Sequence, residues 1–193
     1  AGRTIPSSAD IAFLLPLPAA SGAAAAAALA EVEAWRAEGR KIIMFNVNPT
    51  GLTNALPGID VDACARASAE AVRLIAEAQP TAFVFAPHDN RAGVADFLRS
   101  IKAMVPDVPV AMLDGKVRPG DFKLLCAKAD LTITGRMHMG IASMGVGTPT
   151  MFQDYQGKVE GLLALFDLPD MKYGAEDVLA PERLAAMAID RLA

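Results

Sequence analysis

The stretch TITGRMHMGIASMGVGTPTMF, residues 132–152, decides how the rest of the chain is read. Its first residues form a short run containing β-branched side chains and read as a strand. Gly135 follows, where a glycine lets the backbone turn sharply. Residues 137–144 read as a helix, with Met137, Ile141 and Met144 on one face, which points to core packing. The glycines at 145 and 147 then read as a C-cap and exit, and residues 148–152 read as a second strand. A strand, a short helix and a second strand make a βαβ unit, and such units build parallel sheets.

Working outward, the same alternation continues in both directions. IAFLLPL (11–17), KIIMFNVN (41–48), TAFVFAPHDN (81–90) and PVAML (109–113) read as further strands, with 131–134 and 148–152 completing the set. Helices are expected at 23–38, 60–78, 91–104, 121–129, 137–144, 156–166 and 181–192, and PTGLTNALPG (49–58) as a loop. The strands are apolar along most of their length rather than alternating, as strands buried on both faces are. The expected class is α/β: a doubly wound, mostly parallel, Rossmann-like sheet of about six strands with helices on both faces. At 193 residues the chain fits one domain with a sizeable core.

Composition narrows the function. The chain is 53% apolar with a net charge of −4, a pI near 5.2 and a mean hydropathy of +0.31. An acidic chain excludes a basic nucleic-acid surface, so no nucleic-acid partner is expected. A few local arginines can still hold a small anion. Cys64 and Cys126 lie in separate helical patterns with no CxxC partner, which fits a reduced, cytoplasmic protein. Residues 11–30 lack charge over a length that could span a bilayer. Pro16, Pro18, Ser21 and Gly22 interrupt that run and its second half is mostly alanine, so a buried strand followed by a helix is expected instead. A polar segment precedes the run and a charged helix follows directly, which argues against a signal peptide.

In open α/β sheets, ligands bind beyond the carboxyl ends of the strands. The residues at those ends are Asn46 and Asn48; His88, Asp89 and Asn90; Asp114; Gly135, Arg136 and His138; and Asp154 and Tyr155. Both histidines of the chain fall in this set. A helix N-terminus attracts anions through open N–H groups and its dipole. Gly135 permits close backbone approach, Arg136 adds a fork of donors suited to carboxylate or phosphate, and His138 can deliver a proton near neutral pH. Together they describe a site for an anion that undergoes acid–base chemistry. Structural roles stand beside these: an ion pair for Arg136, hydrogen-bonded packing for His138, helix capping for Asp89 or Asn90, and a turn for Asn46 and Asn48. Lys158, early in a helix, has the ordinary expectation of a solvated lysine. Two histidines without a cysteine or carboxylate pattern give no zinc signature, and no metal site is expected. No GxxxxGK[ST], GxGxxG or GxSxG motif stands at the positions that would give it meaning, so no cofactor is expected.

ADLTITGRMHMGIASMGVGTPTMFQDYQGKVEGLLALFDLP, residues 129–169, resembles the C-terminal signature of the polysaccharide pyruvyl transferase family. That signature runs as an apolar strand, G-R-x-H, a helix of small and apolar residues, G-x-P, a strand, a loop with Tyr and Asp, a Lys, and a Gly-Leu-rich helix. FNVNPTG and FVFAPHDN resemble the family's upstream strand-end segments, and the likeness extends over residues 10–169. The family is similar to two-domain glycosyltransferases of the GT-B type. The resemblance therefore implies that residues 1–193 are one Rossmann-like domain corresponding to the C-terminal, donor-binding half, with the N-terminal half absent. It implies transfer of pyruvate from phosphoenolpyruvate to a pair of sugar hydroxyls as a ketal, during cell-surface or exopolysaccharide synthesis.

The resemblance also implies roles. His138 would be the acid, Arg136 the cation at the donor, and Gly135 and Asn48 part of the binding turns. His88 would position phosphate or carry a second proton, and Lys158 would reach the donor. The implied partners are phosphoenolpyruvate and a saccharide or lipid-linked saccharide acceptor, in the cytoplasm near the inner membrane face. The apolar surface that a missing half would leave raises the expectation of a homo-oligomer. Two other readings stay open. One is a glycosyltransferase of the same shape that uses a nucleotide-sugar, with Asp154 gripping the ribose. The other is a non-catalytic domain serving assembly or sugar binding.

Overall fold

Short apolar runs bounded by turns become the sheet. The computed structural model describes residues 10–19, 21–87, 93–113, 117–154 and 157–193. Its strands are β1 (Lys41–Asn46), β2 (Thr81–Phe85), β3 (Val110–Met112), β4 (Leu131–Thr134), β5 (Thr150–Gln153) and β6 (Lys172–Tyr173). They lie in the order β3-β2-β1-β4-β5-β6, and every neighbouring pair is parallel. Among the described residues the helices are α1 (Ala23–Ala37), α2 (Pro49–Ala55), α3 (Val61–Ala78), α4 (Val94–Met104), α5 (Pro119–Cys126), α6 (Met137–Met144), α7 (Lys158–Leu165), α8 (Ala175–Val178) and α9 (Pro181–Leu192). This is the doubly wound Rossmann-like arrangement that the alternating pattern predicts.

Both faces of the sheet are covered. Side chains alternate along each strand, so Ile43, Phe45, Phe83, Phe85, Leu131 and Ile133 share one core with residues of α3, α4 and α9. Ile42, Met44, Ala82 and Val84 point the other way, onto Ala25, Ala28 and Val32 of α1 and Phe122 and Leu125 of α5. A third cluster joins Ile141 of α6 and Phe152 of β5 to Val159, Leu162 and Leu163 of α7, with Met137 and Met144 packed against it. The rings of Phe45 and Phe85 lie 5.1 Å apart. Each such buried side chain contributes roughly 1.5–3 kcal/mol. Cys64 and Cys126 are both buried and free, and burial pushes the Cys126 thiol up to about 12, which makes it inert at neutral pH.

The fold departs from the expected elements at three places. Residues 11–17 are not a buried strand. Ile11–Leu14 form a 3₁₀ turn, and Ile11 and Leu14 are 80% and 79% exposed. Pro16 and Pro18 have no N–H to give a ladder. The carbonyls of Phe13 and Leu15 instead accept the Lys123 ammonium, at 2.8 and 2.7 Å. The expected loop at 49–58 contains α2, which starts with Pro49 at its first position after Asn48, where proline's fixed φ and missing N–H suit a helix start. The sixth strand is β6, a two-residue element too short to stand out in the sequence.

The strand order reverses between β1 and β4. The helices that follow β1 pack into the first core, while α6 after β4 packs on the opposite face. In sheets of this kind the ligand crevice opens at such a reversal, beyond the carboxyl ends of the two strands.

Candidate active site at the β1–β4 reversal

Two exits from the sheet meet here. Gly135 N–H donates to Asn46 O at 2.6 Å, prolonging the β1–β4 pairing by one residue. Asn48 then folds back over the turn, and its Nδ2 donates to Gly135 O at 3.3 Å. Gln153, at the end of β5, grips the backbone of Asn48 from both sides. Its Oε1 accepts the Asn48 N–H at 2.9 Å, and its Nε2 donates to Asn48 O at 3.1 Å. A Cβ at Gly135 would lie 2.5 Å from Asn48 Cβ and 2.6 Å from Asn48 N. The glycine is therefore required by the neighbouring backbone. Asn46 and Asn48 are both buried. Asn46 Nδ2 donates to Ala86 O at 2.5 Å, and neither Oδ1 has a hydrogen-bond partner among the described residues.

On the β4 side, Thr134 Oγ1 accepts the Arg136 N–H at 3.0 Å and donates to Arg136 O at 3.2 Å. This local loop leaves Arg136 extended (φ −126°, ψ 115°) as the N-cap of α6. The first helical bond runs from Gly140 N–H to Arg136 O, so the N–H groups that open the helix have no intrahelical acceptor. Two contacts fix the axis of α6. Gly140 lies flat against the Phe152 ring, where any side chain would collide. Ser143 Oγ donates to Thr132 Oγ1 at 2.7 Å.

Arg136 and His138 sit two residues apart but in different surroundings. Arg136 is only 9% exposed, whereas the His138 side chain is 61% exposed and its Nε2 lies 3.6 Å from Asp10 Oδ2. The structure thus brings Asn48, Gly135 and Arg136 together, with His138 on the same first turn of α6. Lys158 stands exposed at the first position of α7, after the neighbouring strand β5. His88, Asp89, Asn90, Asp114 and Tyr155 lie outside the described residues. Asp154, the carboxylate after β5, faces Lys172 Nζ at 3.8 Å. Lys172 also holds Glu160 at 2.5 Å, an ion pair that raises the lysine's pKa and lowers the glutamate's.

Gln153 and Asp10 are the residues at this site that the strand-end rule overlooked. Gln153 acts on a segment 105 positions away, and glutamine at a strand end carries no local signal. Asp10 could be found only by knowing that the run after it turns back as a 3₁₀ element. Among the described residues there is no group of three or more His, Cys, Asp or Glu that could hold a metal ion. No described helix is long and apolar enough to cross a membrane.

No curated protein matches the chain. Among solved structures, it is similar to a Listeria monocytogenes protein named "putative UDP-N-acetylglucosamine 2-epimerase", with 21% identity and a TM-score of 0.49. That match covers 82% of this chain and 41% of the other, so this chain spans about two fifths of its length. The model of the family described as polysaccharide pyruvyl transferase matches residues 3–157, which include both exits, α6 and β5. The chain belongs to the polysaccharide pyruvyl transferase family.

Proposed function

We propose that the turn between β4 and α6 binds phosphoenolpyruvate and that the protein transfers its pyruvyl carbons to a saccharide as a ketal. The observation that carries this reading is Arg136. Arg136, 9% exposed, is the N-cap residue of α6 through its backbone, so a nearly buried guanidinium stands where that helix starts, at the reversal point of a Rossmann-like sheet, in a member of this family. A guanidinium fork and open helical N–H groups suit the carboxylate and phosphate of such a donor. Both are fixed before the ligand arrives, so they stabilise developing charge without reorganising.

The chemistry balances with one acid. His138 in its protonated form gives a proton to the methylene carbon of the enol, which becomes a methyl group. The electron pair of the C=C bond forms that C–H bond and leaves an oxocarbenium-like centre at the adjacent carbon. One sugar hydroxyl attacks it, and its proton restores the protonated His138. The C–O bond to phosphate then breaks with its electron pair going to the phosphate oxygen, which leaves an oxocarbenium-like carbon again. A second hydroxyl attacks that carbon and closes the ketal, and its proton leaves on the inorganic phosphate. His88 and Lys158 are the further candidates for handling the phosphate. The acceptor is a saccharide or lipid-linked saccharide held largely by a second domain, this chain acting as the donor-binding half. A phosphoenolpyruvate donor implies a cytoplasmic reaction, near the inner membrane face if the acceptor is lipid-linked.

The test is titration of the chain with phosphoenolpyruvate, following the imidazole of His138 by NMR, with UDP-glucose as parallel ligand. Saturable movement of His138 with phosphoenolpyruvate alone is expected. Arg136→Ala should weaken the apparent affinity at least about tenfold, the scale of a lost charge-assisted hydrogen bond. Response to UDP-glucose alone would favour a nucleotide-sugar transferase, and silence from both ligands would overturn the donor site.

A further inference from the structure

We propose that Asp10 is the positioning residue of His138, and that the segment carrying it belongs to the active site because Lys123 holds it there. The inference rests on the reading of His138 as the proton donor. Three observations converge. First, the Asp10 carboxylate serves two partners with its two oxygens. Oδ1 accepts the Ala12 N–H at 2.8 Å and so starts the 3₁₀ turn, while Oδ2 faces His138 Nε2 at 3.6 Å. Second, the other end of that turn is fixed by Lys123, a residue only 3% exposed, whose ammonium donates to Phe13 O and Leu15 O. Burying an ammonium is unfavourable unless its donors find acceptors, and here two backbone carbonyls that no ladder uses take two of its three N–H groups. Third, the turn is held from the side by Phe13 on Phe166, with ring centroids 5.2 Å apart.

The result is a strap lying along α6. Asp10 meets the first turn of that helix at His138. Lys123 sits beside its far end, where a Cβ on Gly145 would come 3.1 Å from Nζ. An exposed imidazole on a helix surface has several rotamers open to it. A carboxylate facing Nε2 favours the rotamer and tautomer that put an N–H toward Asp10, which turns Nδ1 to the other side of the ring. A carboxylate sets a catalytic imidazole in the same manner in hydrolase triads. An aspartate that merely capped the 3₁₀ turn would have no effect on the histidine.

That difference gives the experiment. Asp10→Ser keeps a good N-cap but is too short to reach the imidazole, while Asp10→Ala removes both functions. The ring ¹⁵N shifts of His138 are read at roughly pH 8.5, about two units above the ordinary histidine value, where the tautomers of the neutral ring are distinguished. The expected result is a bias toward the Nε2–H tautomer that falls by roughly two- to fivefold in both variants, the range of a partly exposed electrostatic contact. Lys123→Met should produce the same change at a distance and speed amide exchange over residues 11–15. Should that variant fail to fold, the Asp10 variants decide alone. Unchanged ring shifts in Asp10→Ser would overturn the inference. Phosphoenolpyruvate added to the same samples separates the two readings. If His138 still answers the ligand while ignoring Asp10, only the positioning role falls; if it ignores the ligand in the unaltered chain, the donor reading falls.

Discussion

The two exits at the reversal point carry similar numbers of polar residues and use them in opposite ways. After β1, the side chains of Asn46 and Asn48 are buried and spend their N–H groups on the backbone of Ala86 and Gly135. Gln153 closes over the backbone of Asn48 with a matched donor and acceptor. After β4, the Thr134 hydroxyl binds the N–H and C=O of Arg136, and Arg136 and His138 stand at the start of the helix that follows. The first exit is a latch and the second is a mount. Uncharged amides suit the latch because each offers a donor and an acceptor and can be buried without an ionic desolvation penalty. Groups that change charge or hold an anion suit the mount.

The comparison breaks most readily at Gly135, where latch and mount touch. Gly135→Ala would drive a methyl group into the Asn48 backbone and the Gln153 amide, neither of which is the loose end of a flexible side chain. A loss of about 3 kcal/mol or more is expected from overpacking at a site that cannot relax. Denaturant unfolding measures it, and a loss below about 1 kcal/mol would show that the two exits are not locked together.

Gln153→Leu sharpens the comparison from the β1 side alone. Leucine fills much of the same volume but strands the buried Asn48 N–H, while Asn48 O keeps only the bond from Leu52 N–H. An expected loss of about 2 kcal/mol follows from the usual penalty for stranded polar groups. Because Asn48 then loses its hold over Gly135, the α6 N-terminus should also shift, and phosphoenolpyruvate affinity should fall along with stability. A stable variant with unchanged affinity would mean that the latch does not set the mount.

The fold was legible because its signal is repeated. KIIMFN, TAFVF and LTIT are apolar runs between turn residues, and each became a strand of the sheet. IAFLLPL carries the same local signal and is no strand, because Pro16 within it and Pro18 just after it cannot donate to a ladder. That outcome rests on hydrogen bonds to Lys123, 108 and 110 positions away. The Asn48–Pro49 pair was a readable helix start that was overshadowed by the glycines and prolines around it. At the site, Arg136 and His138 stood out because they are charged or titratable residues at a strand end in an apolar setting. Gln153 and Asp10 did not, since their parts are defined by segments far away in the chain. Chemistry-bearing residues near the strand ends can thus be read locally, whereas the residues that hold them in place become visible only in the fold.

His138→Gln should have the smallest effect on stability and tests the mount most directly. The side chain is largely exposed, and Asp10, which faces it, is itself partly in solvent. Exposed ion pairs are worth about 0–1 kcal/mol, and glutamine is at least as good a helix former as histidine. Stability should therefore change by no more than about 0.5 kcal/mol. Under the proposed chemistry the same substitution removes the proton donor, so turnover of phosphoenolpyruvate in the intact enzyme should fall by roughly a hundredfold or more. Its binding, carried by Arg136 and the α6 N-terminus, should be kept. A stable protein that binds the donor and does not turn it over is the signature of a residue mounted for chemistry. If His138→Gln destabilised the fold as Gln153→Leu is expected to, the β4 exit would be a second latch, and the division of labour between the exits would be wrong.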